Sequence, residues 1–386
     1  MTGRKRKLVV AGAYGCGNVG DDAILAGMLQ LFPPEKWDIT VFTADPDLTR
    51  KYAPVRTLRQ RLNAGFSPGI LKEFDLNGIM RALVSADVFV IGGGALIHDL
   101  RIYNLPYFFL LHTIAAMAGA RVLYLGIGVG TLKTRAGRRL CRFFMNRAAG
   151  ILVRDEESRI RLCASGIHQT VHVGPDLAFA LRPPENISLS AKTILSGEGL
   201  PDRYVAATVC GWFKSGDFWQ KNRLDISGSI KRMAVLYDGI IESYDENILF
   251  LPTVTPHDRD TALRIQSAMK HGGRFYCIQK NCTVHETMAL IGHSQWLLAM
   301  RLHSMIFAVI TGVPFFALVY DDKVRYFLNQ IGSTHSDDID HLMDDRLFSR
   351  IDAFYRSRKK LRNRILPLSG LYRERLERMI PELAEA

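Results

Sequence analysis

Two parallel α/β domains are predicted by three features of the sequence. Short apolar strands alternate with amphipathic stretches along almost the whole chain, and glycine-marked loops follow many of those strands. One segment rich in proline, serine and glycine, residues 181–203, interrupts the alternation near the middle. The length of 386 residues also exceeds what one small core fills and suits two domains of roughly 150–200 residues.

The elements follow in order. "KLVVAGA" is a buried-strand run, "DDAILAGMLQLF" has helical spacing, and "DITVFTA" is a strand again. "DVFVIGG", "RVLYLGIG", "GILVRDE" and "TVHVGPD" continue the strand series, each followed by a loop or helix. Beyond the interruption, "YVAATVCG", "NILFLPT", "RFYCIQ", "QWLLAM" and "PFFALVY" read as strands of a second sheet. The expected division is a first domain over 1–183, a linker over 184–203, a second domain over 204–345 and a basic helical segment over 346–386.

Composition narrows the class. The chain is 48% apolar and 23% charged, the balance of a folded soluble protein. "MTGRKRKLVVAGAYG" opens basic, but its apolar part runs straight into a glycine loop, unlike a secretory signal. The apolar runs at 105–119 and 304–320 are too short to span a bilayer. Six cysteines without CxxC spacing point to reduced thiols in a cytoplasmic protein and away from a zinc site. A net charge of +12 calls for an anionic partner. The basic residues are dispersed and no nucleic-acid motif accompanies them, which leaves anionic small molecules or a membrane surface. The densest cluster is "RSRKKLRNR", residues 356–364, read either as a solvated helix or as a surface resting on anionic lipid.

Parallel sheets bind ligands beyond the carboxyl ends of their strands, so the residues at those ends are the site candidates. "YGCGNVGDD" follows the first strand, with Gly15, Gly17, Asn18 and Asp21; "GGGALIHD" follows the third, with Gly93, Gly94, His98 and Asp99. Gly15, Gly17 and Gly20 match a dinucleotide fingerprint. However, Asp21 and Asp22 would repel a pyrophosphate from the helix start, and a Walker lysine is absent. The two aspartates are left as helix caps, as acceptors for sugar hydroxyls, or as bases. Arg154 ends another strand, either ion-paired with Asp155 or free to clamp a carboxylate or phosphate. In the second half, Arg301 and His303 precede a helix, and Lys323 follows the next strand. With Arg154 they form a set of four cations suited to a small multiply charged anion. His303 is the one among them that titrates near neutral pH. "PHDRD" holds too few ligands for a metal, and none is expected.

Taken together, these motifs resemble the polysaccharide pyruvyl transferase family. The matching stretches are "AYGCGNVGDDA" (with Asp22 where the family has glutamate), Gly92 to Asp99, "GIGVG", Val153 to Ser158, Gly174 to Asp176, Arg301 to Ser304 and "YDDK". The resemblance implies an architecture similar to the GT-B type, two Rossmann-like domains facing across a cleft. It also implies transfer of the enolpyruvyl unit of phosphoenolpyruvate to a sugar of a cell-surface polysaccharide or its lipid-linked precursor, giving a pyruvate ketal and phosphate. By analogy Arg154 and Lys323 hold the anionic groups, with Arg301 as a further contact, and His303 handles a proton or the phosphate. Asp21 or Asp99 orients or deprotonates the acceptor, and no cofactor is implied beyond phosphoenolpyruvate as co-substrate. Residues 214–224 and 254–260 are acceptor-facing candidates with no motif of their own. The expected location is the cytoplasm, with peripheral membrane contact through 356–364. The rival readings are a GT-B glycosyltransferase that takes a nucleotide-sugar and a non-enzymatic sugar-binding or assembly partner in polysaccharide synthesis.

Overall fold

The computed structural model describes residues 4–60, 75–99, 104–211, 226–342 and 344–385. These divide into two compact units, one of residues 1–181 with 372–386, the other of residues 182–371.

The first unit is a seven-stranded sheet. In chain order it runs β1 (Arg6–Ala11), α1 (Val19–Gln30), β2 (Trp37–Thr43), α2 (Pro46–Arg50), β3 (Arg56–Arg59), α3 (Leu76–Val84), β4 (Val88–Gly92) and α4 (Asn104–Met117). There follow β5 (Arg121–Ile127), α5 (Arg135–Met145), β6 (Gly150–Val153), α6 (Glu156–Ala164) and β7 (Val171–Val173). The strand order is β3-β2-β1-β4-β5-β6-β7, and every pairing is parallel. Central strands such as β4 are buried along their whole length, as a sheet covered on both faces requires. The order reverses between β1 and β4, so the loops after these two strands part to opposite faces. A ligand-sized gap opens at such a point.

The second unit begins with α7 (Ile187–Gly197), β8 (Val205–Thr208), α8 (Ile226–Tyr244), β9 (Ile248–Phe250), α9 (His257–Ala268) and β10 (Phe275–Cys277). It continues with α10 (Val284–His293), β11 (Leu297–Ala299), α11 (Leu302–Thr311), β12 (Phe315–Val319), α12 (Asp322–Gln330) and β13 (Ser336–Asp338). Its sheet, β10-β9-β8-β11-β12-β13, is also parallel and reverses between β8 and β11. The long α13 (Asp345–Glu385) contributes its residues up to 371 to this unit and the rest to the first.

Three local findings depart from the sequence expectation. The stretch 184–203, expected as a linker, holds helix α7: Asn186 caps it, accepting from the Leu189 N–H, and Ala191, Ile194 and Leu195 are buried. That helix packs on α10, where Gly292 lies against Ile187. The basic segment is not a unit of its own, because α13 is shared between the two units. Two edge strands, β3 and β13, were not among the expected strands. No helix among the described residues is long and apolar enough to cross a membrane.

Candidate functional site

In the second unit the reversal point gathers side-chain charge. Arg301 is the N-cap of α11, and no side chain caps that helix, so its first-turn N–H groups face the same edge as the guanidinium. Arg301 Nη2 donates to Asp258 Oδ1. Asp258 is fully buried, and its Oδ2 accepts from the N–H groups of Thr253 and Val254 and from the Thr253 hydroxyl at 2.9–3.1 Å. These three donors fix the carboxylate, and the carboxylate fixes the arginine. Burial works against the charged guanidinium, but Asp258 outweighs it and Arg301 stays cationic.

Lys323 stands in the first turn of α12, with Nζ 3.0 Å from Asp321 Oδ2 and 5.3 Å from the centre of the Tyr320 ring. Burial would lower its pKa, yet Tyr320 and Asp321 together raise it. Cys210, just past β8, is pushed up to about 11 by burial, with Arg301 and Lys323 pulling the other way. Tyr320 is pushed up to about 12 by burial, with Lys323 and Arg301 opposing. Arg301, Lys323, Cys210 and Tyr320 therefore share one electrostatic neighbourhood. His303 lies half-buried in the first turn of α11.

The corresponding edge of the first unit is made mainly of backbone. Gly15 and Gly17 after β1, and Gly93 and Gly94 after β4, all have positive φ, which a side chain adopts only at a cost. A Cβ on Gly94 would meet Asp21 Oδ1 at 2.7 Å. Asn18 caps α1, accepting from the Gly20 N–H at 3.0 Å and donating to Asp21 Oδ2 at 2.7 Å. Asp22 is buried and accepts from the Gly15 N–H at 2.8 Å. Burial raises its carboxyl to about 7; the Gly15 N–H pulls down, and Asp21 and Asp45 push up.

Arg154, at the end of β6, is buried between Asp155 and Asp176, each 3.6 Å away. Its Nε has no hydrogen-bond partner among the described residues. Gly128 lies directly on the guanidinium: a Cβ there would meet Nε and Nη2 at 2.9 Å. Asp99 accepts from the Lys133 and Thr134 N–H groups. Burial would raise its pKa, but these hydrogen bonds outweigh burial and hold the carboxyl below its ordinary value. Among the described residues no three of His, Cys, Asp or Glu gather closely enough to hold a metal ion.

A sequence model of polysaccharide pyruvyl transferases matches residues 18–322. The chain belongs to that family. The pyruvyl transferase match includes Arg154, Arg301 and His303, and Lys323 follows it directly. Amylovoran biosynthesis protein AmsJ of Erwinia amylovora is 21% identical over 395 aligned positions, covering 90% of this chain and 91% of AmsJ.

Solved structures share the fold at lower identity. A UDP-GlcNAc 2-epimerase from Methanocaldococcus jannaschii superimposes with a TM-score of 0.60 at 14% identity, over 90% of this chain and 92% of its own. Anabaena HepE, in complex with UDP and glucose, gives 0.62 at 11%, over 98% and 99%. The fold is thus the GT-B one, built of two Rossmann-like units.

In this chain the four expected cations separate three to one. Arg301, His303 and Lys323 stand at the carboxyl edge of the second sheet, and Arg154 at that of the first. Arg154, Arg301 and Lys323 each come with a carboxylate in place; the Arg154–Asp155 pair is one of the two readings the sequence offers, whereas Asp176 and Asp258 as partners are not disclosed by the spacing. Asp99 spends both oxygens on backbone N–H groups, the geometry of a loop brace. Asp258 and Asp176 were missed as site residues. Asp258 lies in the 254–260 stretch left without a motif; Asp176 was visible only as the last letter of a family motif with no role attached. The stretch 214–224 lies outside the described residues.

Proposed function

We propose that the protein transfers the enolpyruvyl group of phosphoenolpyruvate to two hydroxyls of one sugar, in a cell-surface polysaccharide or its lipid-linked precursor. Membership of the pyruvyl transferase family over residues 18–322 carries this reading. The chemistry begins with a proton added to the enol methylene, which becomes the ketal methyl group. A sugar hydroxyl attacks the oxocarbenium-like carbon and loses its proton. Phosphate then leaves with its bonding electrons, and a second hydroxyl closes the ketal as its own proton departs.

Two needs follow: neutralisation of a phosphate and a carboxylate, and a proton donor. The uncapped N-terminus of α11, with Arg301 and Lys323, supplies positive potential suited to the anionic groups. Their paired carboxylates lower the net charge but lock each cation in place, the preorganisation that electrostatic catalysis requires. His303, on the first turn of the same helix, is assigned the proton or the leaving phosphate. His303→Ala is expected to lower kcat by about 100-fold or more while the melting temperature holds; turnover near that of the unaltered protein removes the assignment.

The GT-B fold also serves nucleotide-sugar enzymes, and HepE was solved with UDP and glucose. The two readings part in a melting experiment with phosphoenolpyruvate, UDP or GDP added. Stabilisation by phosphoenolpyruvate, weakened in Lys323→Ala, supports the pyruvyl donor, and Arg154→Ala then decides whether the first unit helps to hold it. Stabilisation by a nucleoside diphosphate alone turns the assignment to glycosyl transfer.

A further inference from the structure

Helices α3, α4 and α5 pack side by side on one face of the first sheet. Their outer surface is unusually apolar. Leu76, Met80 and Val84 form one stripe on α3, spaced four residues apart. Leu110 and Met117 lie seven apart on α4, and Phe143 stands on α5; all six are 44–84% exposed. Scattered single apolar residues need no explanation, but six large ones on three adjoining helices are an exposure that a folded protein seldom leaves to water.

Charge around that face is mainly positive, the exposed N-cap of α3, Asp75, being an exception. From residue 100 to residue 154 the sequence has nine Lys and Arg and no Asp or Glu, and α3 adds no acid. Lys133, Arg135, Arg139, Arg142 and Arg147 are exposed on or beside α5. The Arg147 guanidinium lies 3.8 Å from the centre of the Phe143 ring, an apolar plane with a cation at its border. The neighbouring α6 differs. There Arg159 pairs with Glu156 and Arg161 with Glu157, the pattern of a helix that faces water. The cationic surface therefore stops where α5 ends.

We infer that the α3–α5 face docks on an anionic lipid bilayer. Apolar side chains enter the acyl boundary while the arginines beside them meet phosphate headgroups, the arrangement of an interfacial helix repeated across three helices. A second copy of the chain fits worse, because a symmetric contact would set the α5 arginines against each other. Nucleic acid offers nothing for the six apolar residues. This surface belongs to the first unit and the 356–364 cluster of the sequence reading to the second, and the inference rests on the surface alone, not on the identity of the donor.

The test is cosedimentation of the full chain with vesicles of phosphatidylglycerol and phosphatidylcholine, against vesicles of phosphatidylcholine alone. Binding to the anionic vesicles is expected. It should weaken more than about ten-fold in Met117→Gln with Phe143→Gln, and as much in Arg139→Gln with Arg142→Gln. Because all four positions are exposed, melting temperatures should stay close to that of the parent. Arg356→Gln with Lys359→Gln and Lys360→Gln should leave binding within about two-fold. Absent binding, indifference to the α4–α5 substitutions, or loss confined to the α13 set would overturn the inference. So would a concentration-dependent dimer that Met117→Gln abolishes.

Discussion

The carboxyl edges of the two sheets solve the same problem with different materials. In the first unit the loops after β1 and β4 carry four glycines at positive φ, and the nearest carboxylates, Asp21 and Asp22, are tied into the loop itself. In the second unit the charges are long side chains on helix starts, each locked by a buried carboxylate. A backbone edge lets a ligand come close without a Cβ in the way. A side-chain edge concentrates charge, but depends on partner carboxylates, Asp321 near Lys323 in the chain and Asp258 far from Arg301. The first is therefore sensitive to added atoms, the second to removed ones.

The largest expected effect is on the side-chain edge. Asp258→Ala leaves Arg301 and three donors around Thr253 without their acceptor. The cost is about 3 kcal/mol, at the low end for a broken buried pair because Arg301 is itself part exposed, at 23%. Denaturant unfolding reads it, and a loss under about 1 kcal/mol would mean the pair is not the anchor described. Next comes the backbone edge. Gly94→Ala places a Cβ at φ +64° and 2.7 Å from Asp21 Oδ1, for about 1–2 kcal/mol. The same change at Gly273, where φ is not positive and a Cβ meets nothing, should cost little, and equal costs at both glycines would erase the contrast.

The subtlest expected effect is on pH dependence. Asp22 keeps its proton to about 7 in the folded protein and releases it near 4 when unfolded, so its contribution to stability falls as pH rises through that interval. His112 has the opposite sign. Burial, with Arg147 adding to it, lowers its folded pKa to about 4, so stability is lost as pH drops from 6.5 toward 4. Over pH 4–6.5 the two slopes offset each other. Asp22→Asn should leave a stability that climbs with pH there, and His112→Gln one that declines. Melting curves across that range settle it, and parallel profiles in both variants would contradict the assignment.

Eleven strands read from the sequence lie where the structure has them, since buried parallel strands are continuous apolar runs. Both missed strands are sheet edges: "RTLR" in β3 and "SDD" in β13 bury one residue each and carry no apolar run. Helix α7 was legible in principle. Its buried residues keep helical spacing, but prolines before it and glycines after it gave the stretch a linker's composition. At the site, the cations could be read because each directly follows a strand. Of their carboxylates, Asp155 and Asp321 stand beside Arg154 and Lys323 in the sequence, but Asp258 is 43 positions from Arg301 and Asp176 is 22 from Arg154, and only the fold sets those together.

The helix shared by both units also bears on how the chain is made. Arg121, on β5, donates to the Ala384 carbonyl at 2.9 Å, Arg375 donates to the Val173 carbonyl, and Phe179 meets Tyr372 edge to face. A ribosome therefore completes the first sheet some 200 residues before it delivers the last segment that covers it. Until then β5–β7 wait with a face unfilled. A chain halted at residue 371 should be cut first by protease within residues 4–181; cleavage first in the second unit would mean that the early sheet stands without its late cover.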